Sequence, residues 1–295
     1  MDDNLAPEEA FESAVGIEAP APQLLAMVFA SPHSGSTYPP AFLAQSALDA
    51  VTLRRSEDSF VDELFACAPR RGAPLIKALF PRAFLDPNRE PFELDPAMFE
   101  DPLPDHVSSD TPRVQAGLGT IARLVSSGAE IYKTKLTFAQ AERRVERLYR
   151  PYHTALERLM ATTEAQFGHC LLVDCHSMPS TGGPSDSDAG LSRVDVVLGD
   201  CFGTTCSPRV TQCAESTLNG LGYVVVRNMP YSGGFTTRHY GAPAKGRHAL
   251  QIELNRSLYM DEATHQKTAG FQTLCGHLDQ LVDALAHIPG EALAR

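Results

Sequence analysis

Six short apolar runs, stopped by turn formers and separated by stretches with a helical repeat, restrict this chain to a narrow set of folds. They are Leu24 to Ala30, Ala73 to Phe80, Cys170 to Asp174, Val194 to Leu198, Tyr223 to Arg227 and Ala249 to Leu254. Their length and composition suit buried strands. Between them, "TFAQAERRVERLYRPYHTALERLMATTEAQFG" at 137–168 repeats apolar residues at three- and four-residue spacing, the stripe of an amphipathic helix. Pro151 is expected to kink or split it. The same pattern predicts helices at 59–68, 112–127, 208–221 and 262–286. Strands alternating with helices predict an α/β domain whose largely parallel sheet is covered on both faces. No internal repeat or long linker is evident, which favours a single domain over 21–295. The Pro-, Ala- and acid-rich residues 1–20 read as a flexible N-terminal arm, with order beginning near Gln23.

Charge and cysteine content narrow the partners. A net charge of -11 and a pI near 5.3 argue against nucleic acid, whose binders usually carry a basic face. A small molecule is the expected partner. The 7 cysteines form no CxxC pair, as suits reduced thiols in the cytoplasm. The run "LLAMVFA" at 24–30 is too short to span a bilayer, and the acidic N-terminus lacks the features of a signal peptide. No membrane association is expected.

In a sheet of this kind, ligands bind beyond the carboxyl ends of the strands. "CLLVDCHSMPSTGGPSDSDAG" at 170–190 is a strand with His176 at its carboxyl end, followed by a loop rich in Gly, Ser and Pro that can close over a pocket. "LLAMVFASPHSGSTYPP" places His33 in the same setting. Either histidine alone reads equally well as a hydrogen-bonded turn residue. Together they suggest two ligands of a catalytic zinc, which takes three protein ligands and leaves one position open. No HExxH is present, so a carboxylate must come from elsewhere, and "RRSEDSFVDELF" is the candidate segment. Its acids are also explained by a helix start.

Three further segments carry binding chemistry. "FPRAFLDPNREPF" offers Arg82, Asn88 and Arg89, two guanidinium forks and an amide suited to a carboxylate, or else an ordinary surface loop. "MPYSGGFTTRHYGAP" sets Gly233 and Gly234 before Arg238, as in a mobile binding loop or a glycine-hinged hairpin. In "HALQIELNRSLYM", alternation puts Glu253 on the face opposite Leu250, Ile252 and Leu254. An acid in a buried strand is costly unless it is functional or paired, for instance with Arg256. Asp174, on the strand of His176, can steady that imidazole or cap a turn.

In order along residues 27–262, "SPHSGSTYPP", "EDSFVDELF", "GAPLIKALFPRAFLDPNRE", "DCHSMPS", "VLGDCFGTTCSP", "NMPYSGGFTTRHYGAP" and "HALQIELNRSLYMDE" resemble the N-formylglutamate amidohydrolase family. The resemblance implies a mixed, mostly parallel central sheet between helices, the phosphorylase/hydrolase-like fold of the zinc carboxypeptidases and aspartoacylase. It implies one zinc ion, or another divalent metal, held by His33, His176 and Asp58, with Glu57 the alternative to Asp58. It implies Glu253 as the catalytic acid/base, with Asn88 and Arg89, and further Arg82 and Arg238, for substrate carboxylates. The activity implied is cleavage of an N-acyl amino acid, N-formyl-L-glutamate first. Alternatives are a peptidase or aminoacylase on another N-acyl amino acid or C-terminal residue, and a non-catalytic binding protein. The chain departs from the family in reading Asp-Cys-His-Ser and Ser-Glu-Asp-Ser where deformylases read Asp-Ala-His-Ser and Asp-x-Asp-Trp.

Overall fold

Seven strands form the central sheet of the computed structural model, which describes residues 6–125, 128–183 and 188–294. They are β1 (Val15–Glu18), β2 (Met27–Ser31), β3 (Leu75–Ala78), β4 (Cys170–Met178), β5 (Val196–Gly199), β6 (Val225–Arg227) and β7 (Arg247–Asn255). Their order across the sheet is β1-β3-β2-β4-β7-β5-β6. The block β3-β2-β4-β7 is parallel throughout, β1 adds antiparallel to β3, and the parallel pair β5-β6 runs antiparallel to β7. The sheet is therefore mixed and mostly parallel, as the sequence predicts.

Alternation along the strands divides the buried apolar residues into two cores. Val28, Ala30, Leu172 and Ala249 face the helix Arg150–Phe167, with Phe42, Phe80 and Phe84 in the same cluster. Met27, Phe29, Leu171, Val173, Leu250, Ile252 and Leu254 face the other way, against the helices Pro208–Gly220 and Gly270–Ala286. No helix among the described residues is long and apolar enough to cross a membrane.

Several elements differ from their sequence reading, each for a physical reason. Order begins well before Gln23: β1 pairs with β3, Glu8 is an ion-pair partner of Arg143, and Phe11 packs against Phe80 and Phe84. An acidic composition hid apolar anchors spaced along residues 11–17, while residues 1–5 of the expected arm lie outside the described residues. The long helix does not end at Pro151, which lies in its last segment. A π-helical stretch, Val145–Tyr149, joins Phe138–Arg144 to Arg150–Phe167, a register shift that accommodates the missing N–H of proline. Of the helix expected at 112–127 only Pro112–Gln115 forms, because Gly117 takes a φ of 74° and turns the chain; residues 126–127 are outside the described set. The stretch 59–68 yields two short helices, Val61–Leu64 and Cys67–Arg71. Residues 262–286 begin as a small β-ribbon that pairs Met260–Asp261 with Gln266–Lys267 and become helical at Gly270.

Candidate metal centre and its pocket

The site arises where one face of two neighbouring strands changes from apolar to polar. On that face of β4 the residues run Cys170, Leu172, Asp174, His176, and on β7 they run Ala249, Gln251, Glu253. Both β4 and β7 extend beyond the apolar runs read from the sequence, so His176 lies inside β4, directly beside Glu253 in the β4-β7 register. His33 follows β2, the other neighbour of β4, and its carbonyl accepts a 3.0 Å hydrogen bond from the Asp58 N–H. That bond ties the bend at Asp58 to the strand end.

Three side chains then converge. His33 Nδ1 lies 3.2 Å and His176 Nδ1 3.0 Å from Asp58 Oδ2, and the three residues present ligand atoms within 4.8 Å of one another. All are buried. Behind His33, its Nε2 lies 2.8 Å from Asp86 Oδ1. Both ring nitrogens of His33 thus face carboxylate oxygens, which only accept, and a metal ion held at Nδ1 would leave the ring proton on Nε2, toward Asp86. Behind His176, Asp174 Oδ1 is 3.0 Å from Nε2, while Asp174 Oδ2 accepts a hydrogen bond from Thr237 Oγ1 at 3.1 Å. Asp174 Oδ1 has close ionic proximity to the ring without an aligned hydrogen bond.

Burial opposes charge on Asp58, yet hydrogen bonds from His176 and His33 hold its carboxyl well below the usual range. Burial would also keep His176 neutral, but the Asp174 charge and the contacts to Asp174 and Asp58 push it well above its usual value. A buried carboxylate facing two imidazoles favours a proton or a cation between them. Two imidazoles and one carboxylate, with carboxylates steadying the ring backs, fit a divalent metal ion.

The expected alternative ligand is turned elsewhere. Glu57 accepts hydrogen bonds from Tyr38 Oη at 2.7 Å, Ser59 Oγ at 2.8 Å and Arg54 Nε at 3.1 Å. Its carboxylate anchors the segment whose next residue is Asp58. Arg256 differs from its sequence reading too: it donates to Asp58 Oδ1 at 3.1 Å and to Ser177 Oγ at 3.2 Å. The Asp58 carboxylate is thus held on one oxygen by a guanidinium and faces the two histidines with the other. Glu253 instead accepts a 3.0 Å hydrogen bond from Gln251 Nε2. Burial pushes Glu253 up to about 7, against the lowering effect of His176.

These groups line a cavity of about 350 Å³, large enough for a small ligand. Arg82, Asn88, Arg89 and Arg238 also line it, while Asp174 lies behind His176. Asp86 organises this side. It accepts from the Asn88 N–H at 2.8 Å and Arg82 Nε at 2.9 Å as well as facing His33. Burial alone would raise its pKa, but Arg82, Arg89 and His33 hold it well below the usual carboxylate range. Asn88 Oδ1 accepts from the Thr236 N–H at 2.8 Å, which seats the start of the helix Phe235–Tyr240, so Arg238 rides on a helix and not on the mobile loop or hairpin read from the sequence, and a Cβ on Gly234 would lie 2.2 Å from Asn88 Nδ2. Close approach of this helix start requires glycine there. Residues 184–187 of the loop expected to cover the pocket lie outside the described residues, although Pro179 and Gly183 line the cavity.

Sequence reasoning missed Asp86, the Asp58 contact of Arg256, and Arg113, a further lining residue. Asp86 sits two residues before Asn88 in a segment already singled out, so an acid close to two arginines was the available signal. Arg113 carried none, because the segment was read as helix.

Comparison with known proteins gives a consistent picture. The family model described as N-formylglutamate amidohydrolase matches residues 25–260. An N-formylglutamate deformylase from Pseudomonas putida is 32% identical over 245 residues, 81% of this chain and 83% of that protein. One from Pseudomonas aeruginosa is 30% identical over 240 residues, covering 80% and 82%. The crystal structure of an N-formylglutamate amidohydrolase from Ralstonia eutropha JMP134 superposes with a TM-score of 0.84 at 37% identity, over 91% of this chain and 95% of the other.

Proposed function

The chain belongs to the N-formylglutamate amidohydrolase family, and from that premise we propose that it hydrolyses N-formyl-L-glutamate to L-glutamate and formate. The observation that carries the reading is the meeting of His33, Asp58 and His176 in a cavity that also presents Glu253 and several arginines. We assign the metal as one zinc ion, with His33, Asp58 and His176 as its ligands. Bound zinc supplies Lewis acidity, polarising an amide carbonyl and lowering the pKa of water.

The remaining work falls to the chain. Glu253, whose burial raises its proton affinity, takes a proton from the attacking water and returns it to the leaving nitrogen. The water oxygen joins the formyl carbon, the formyl C–N bond breaks, and the nitrogen leaves as the amine of glutamate. Asn88 and Arg89 hold the α-carboxylate, Arg82 faces the reacting end, and Arg238 contributes positive charge for a second carboxylate. Arg89 already donates Nε to Leu118 O and Nη1 to Asn88 O, so its ligand contact is made through Nη2, which also lies 3.6 Å from Asp86 Oδ2. Asp86 and Asp174 steady the two imidazoles, and Arg256 steadies Asp58. All 7 cysteines are free, which suits work in the reducing cytoplasm.

The test is formate release from N-formyl-L-glutamate by protein treated with chelator, with and without added zinc. Zinc-restored release supports the reading. Stoichiometric zinc binding with no formate release overturns the substrate and leaves a hydrolase for another N-acyl amino acid.

A further inference from the structure

Five arginines line the cavity: Arg82, Arg89, Arg113, Arg238 and Arg256. Four are committed. Arg256 donates to Asp58, Arg82 to Asp86, Arg89 to two backbone carbonyls, and Arg238 Nη1 to Gly233 O at 2.9 Å. Among the described residues the guanidinium of Arg113 makes no hydrogen bond and no ion pair. It is nevertheless only partly exposed. Its backbone is fixed, since Thr111 caps the helix Pro112–Gln115 and Val114 is buried in the core. A guanidinium withdrawn from water without an acceptor is unfavourable, and a neighbouring cation adds to the cost.

Arg113 opens the segment that forms one wall of the cavity, and on that wall the Leu118 carbonyl accepts from Arg89 Nε at 2.9 Å. The chain following Arg113 supplies apolar lining through Leu118, Ala122, Leu124 and Val125, a surface suited to methylene groups. This wall therefore pairs an uncommitted cation with an apolar surface.

Resting on the deformylase reading above, we infer that Arg113, together with Arg238, determines specificity by binding the side-chain carboxylate of the substrate. The α-carboxylate goes to Asn88 and Arg89, and the two methylenes of a glutamyl chain lie along the apolar wall. Two cations lining one cavity then share one anion, which relieves their mutual repulsion.

The experiment compares wild type, Arg113→Met and Arg113→Lys in the metal-loaded protein. Calorimetry measures binding of L-glutamate and L-glutamine, and steady-state assays follow N-formyl-L-glutamate and N-formyl-L-glutamine. Arg113→Met is expected to weaken L-glutamate binding and raise its formyl derivative's KM roughly 10- to 100-fold, the effect of losing a charge-assisted pair. Its kcat and both glutamine ligands stay near wild type, and Arg113→Lys recovers part of the loss. Equal weakening of glutamate and glutamine, or no weakening of either, overturns the assignment. The two readings fail separately. Wild type that binds glutamate through Arg113 but releases no formate sinks the deformylase reading alone. Active wild type whose Arg113→Met variant keeps its glutamate preference sinks the role of Arg113 alone.

Discussion

Replacing Asp86 tests whether the candidate metal centre depends on the residues behind its ligands. Asp86 Oδ1 receives the Nε2–H of His33 at 2.8 Å while Nδ1 of the same ring faces Asp58. A hydrogen bond to a charged acceptor contributes about 1.5–3 kcal/mol and a neutral one about 0.5–1.5 kcal/mol. Asp86→Asn keeps an acceptor oxygen and removes the charge, a loss of about 1–1.5 kcal/mol, or about 5- to 12-fold in affinity at about 1.4 kcal/mol per tenfold. Asp86→Ala removes the contact entirely and frees the ring, so its loss extends to about 100-fold. Folding should survive, because Arg82 is 26% exposed in its side chain and can turn to water, and Arg89 retains two backbone acceptors. The assay is zinc competition against a colorimetric chelator, with thermal denaturation run on the same samples. The expected order of affinity is wild type, then Asn, then Ala, with formate release by the Asn variant restored at saturating zinc. Zinc affinities within twofold for all three, on folded protein, would falsify the account of His33 orientation.

Glu253→Gln should reduce formate release by about 10²- to 10⁴-fold while zinc content stays at wild type, checked by turnover and metal analysis. The same variant should be more stable than wild type in the metal-free state as pH rises from 4.5 to about 7. Glu253 has a raised folded pKa, so the wild type loses stability as that group is forced to ionise; denaturant melts at stepped pH that show no divergence would remove this point. Gly234→Ala drives a Cβ to within 2.2 Å of Asn88 Nδ2, and should cost about 1–3 kcal/mol of stability and raise KM as Asn88 is displaced. An unchanged midpoint and KM would mean the start of the helix Phe235–Tyr240 yields freely. Arg256→Met leaves the buried Asp58 carboxylate without its cation, a loss on the order of 3–5 kcal/mol in the metal-free protein. Added zinc should recover part of this in thermal melts, and a midpoint equal to wild type without metal contradicts the pairing.

The sequence by itself determined the α/β class and the places of six of the seven strands of the central sheet, all but β1, because apolar runs of strand length are a local property of the chain. It also determined the candidates that have a local signature. His33 and His176 end or extend apolar runs, Glu253 interrupts one, and Asn88 and Arg89 stand in a turn-rich segment. Tertiary structure decided what depends on distance between segments. Asp58 and not Glu57 faces the histidines because Tyr38, Arg54 and Ser59 claim the Glu57 carboxylate. Asp86 backs His33 across 53 positions, and Arg256 reaches Asp58 across 198. Arg113 lines the cavity from the short helix Pro112–Gln115, a placement that the helix expected at 112–127 gave no sign of. Hydrophobic periodicity is set by near neighbours, whereas the partner of a buried charge is set by which strands the fold places side by side.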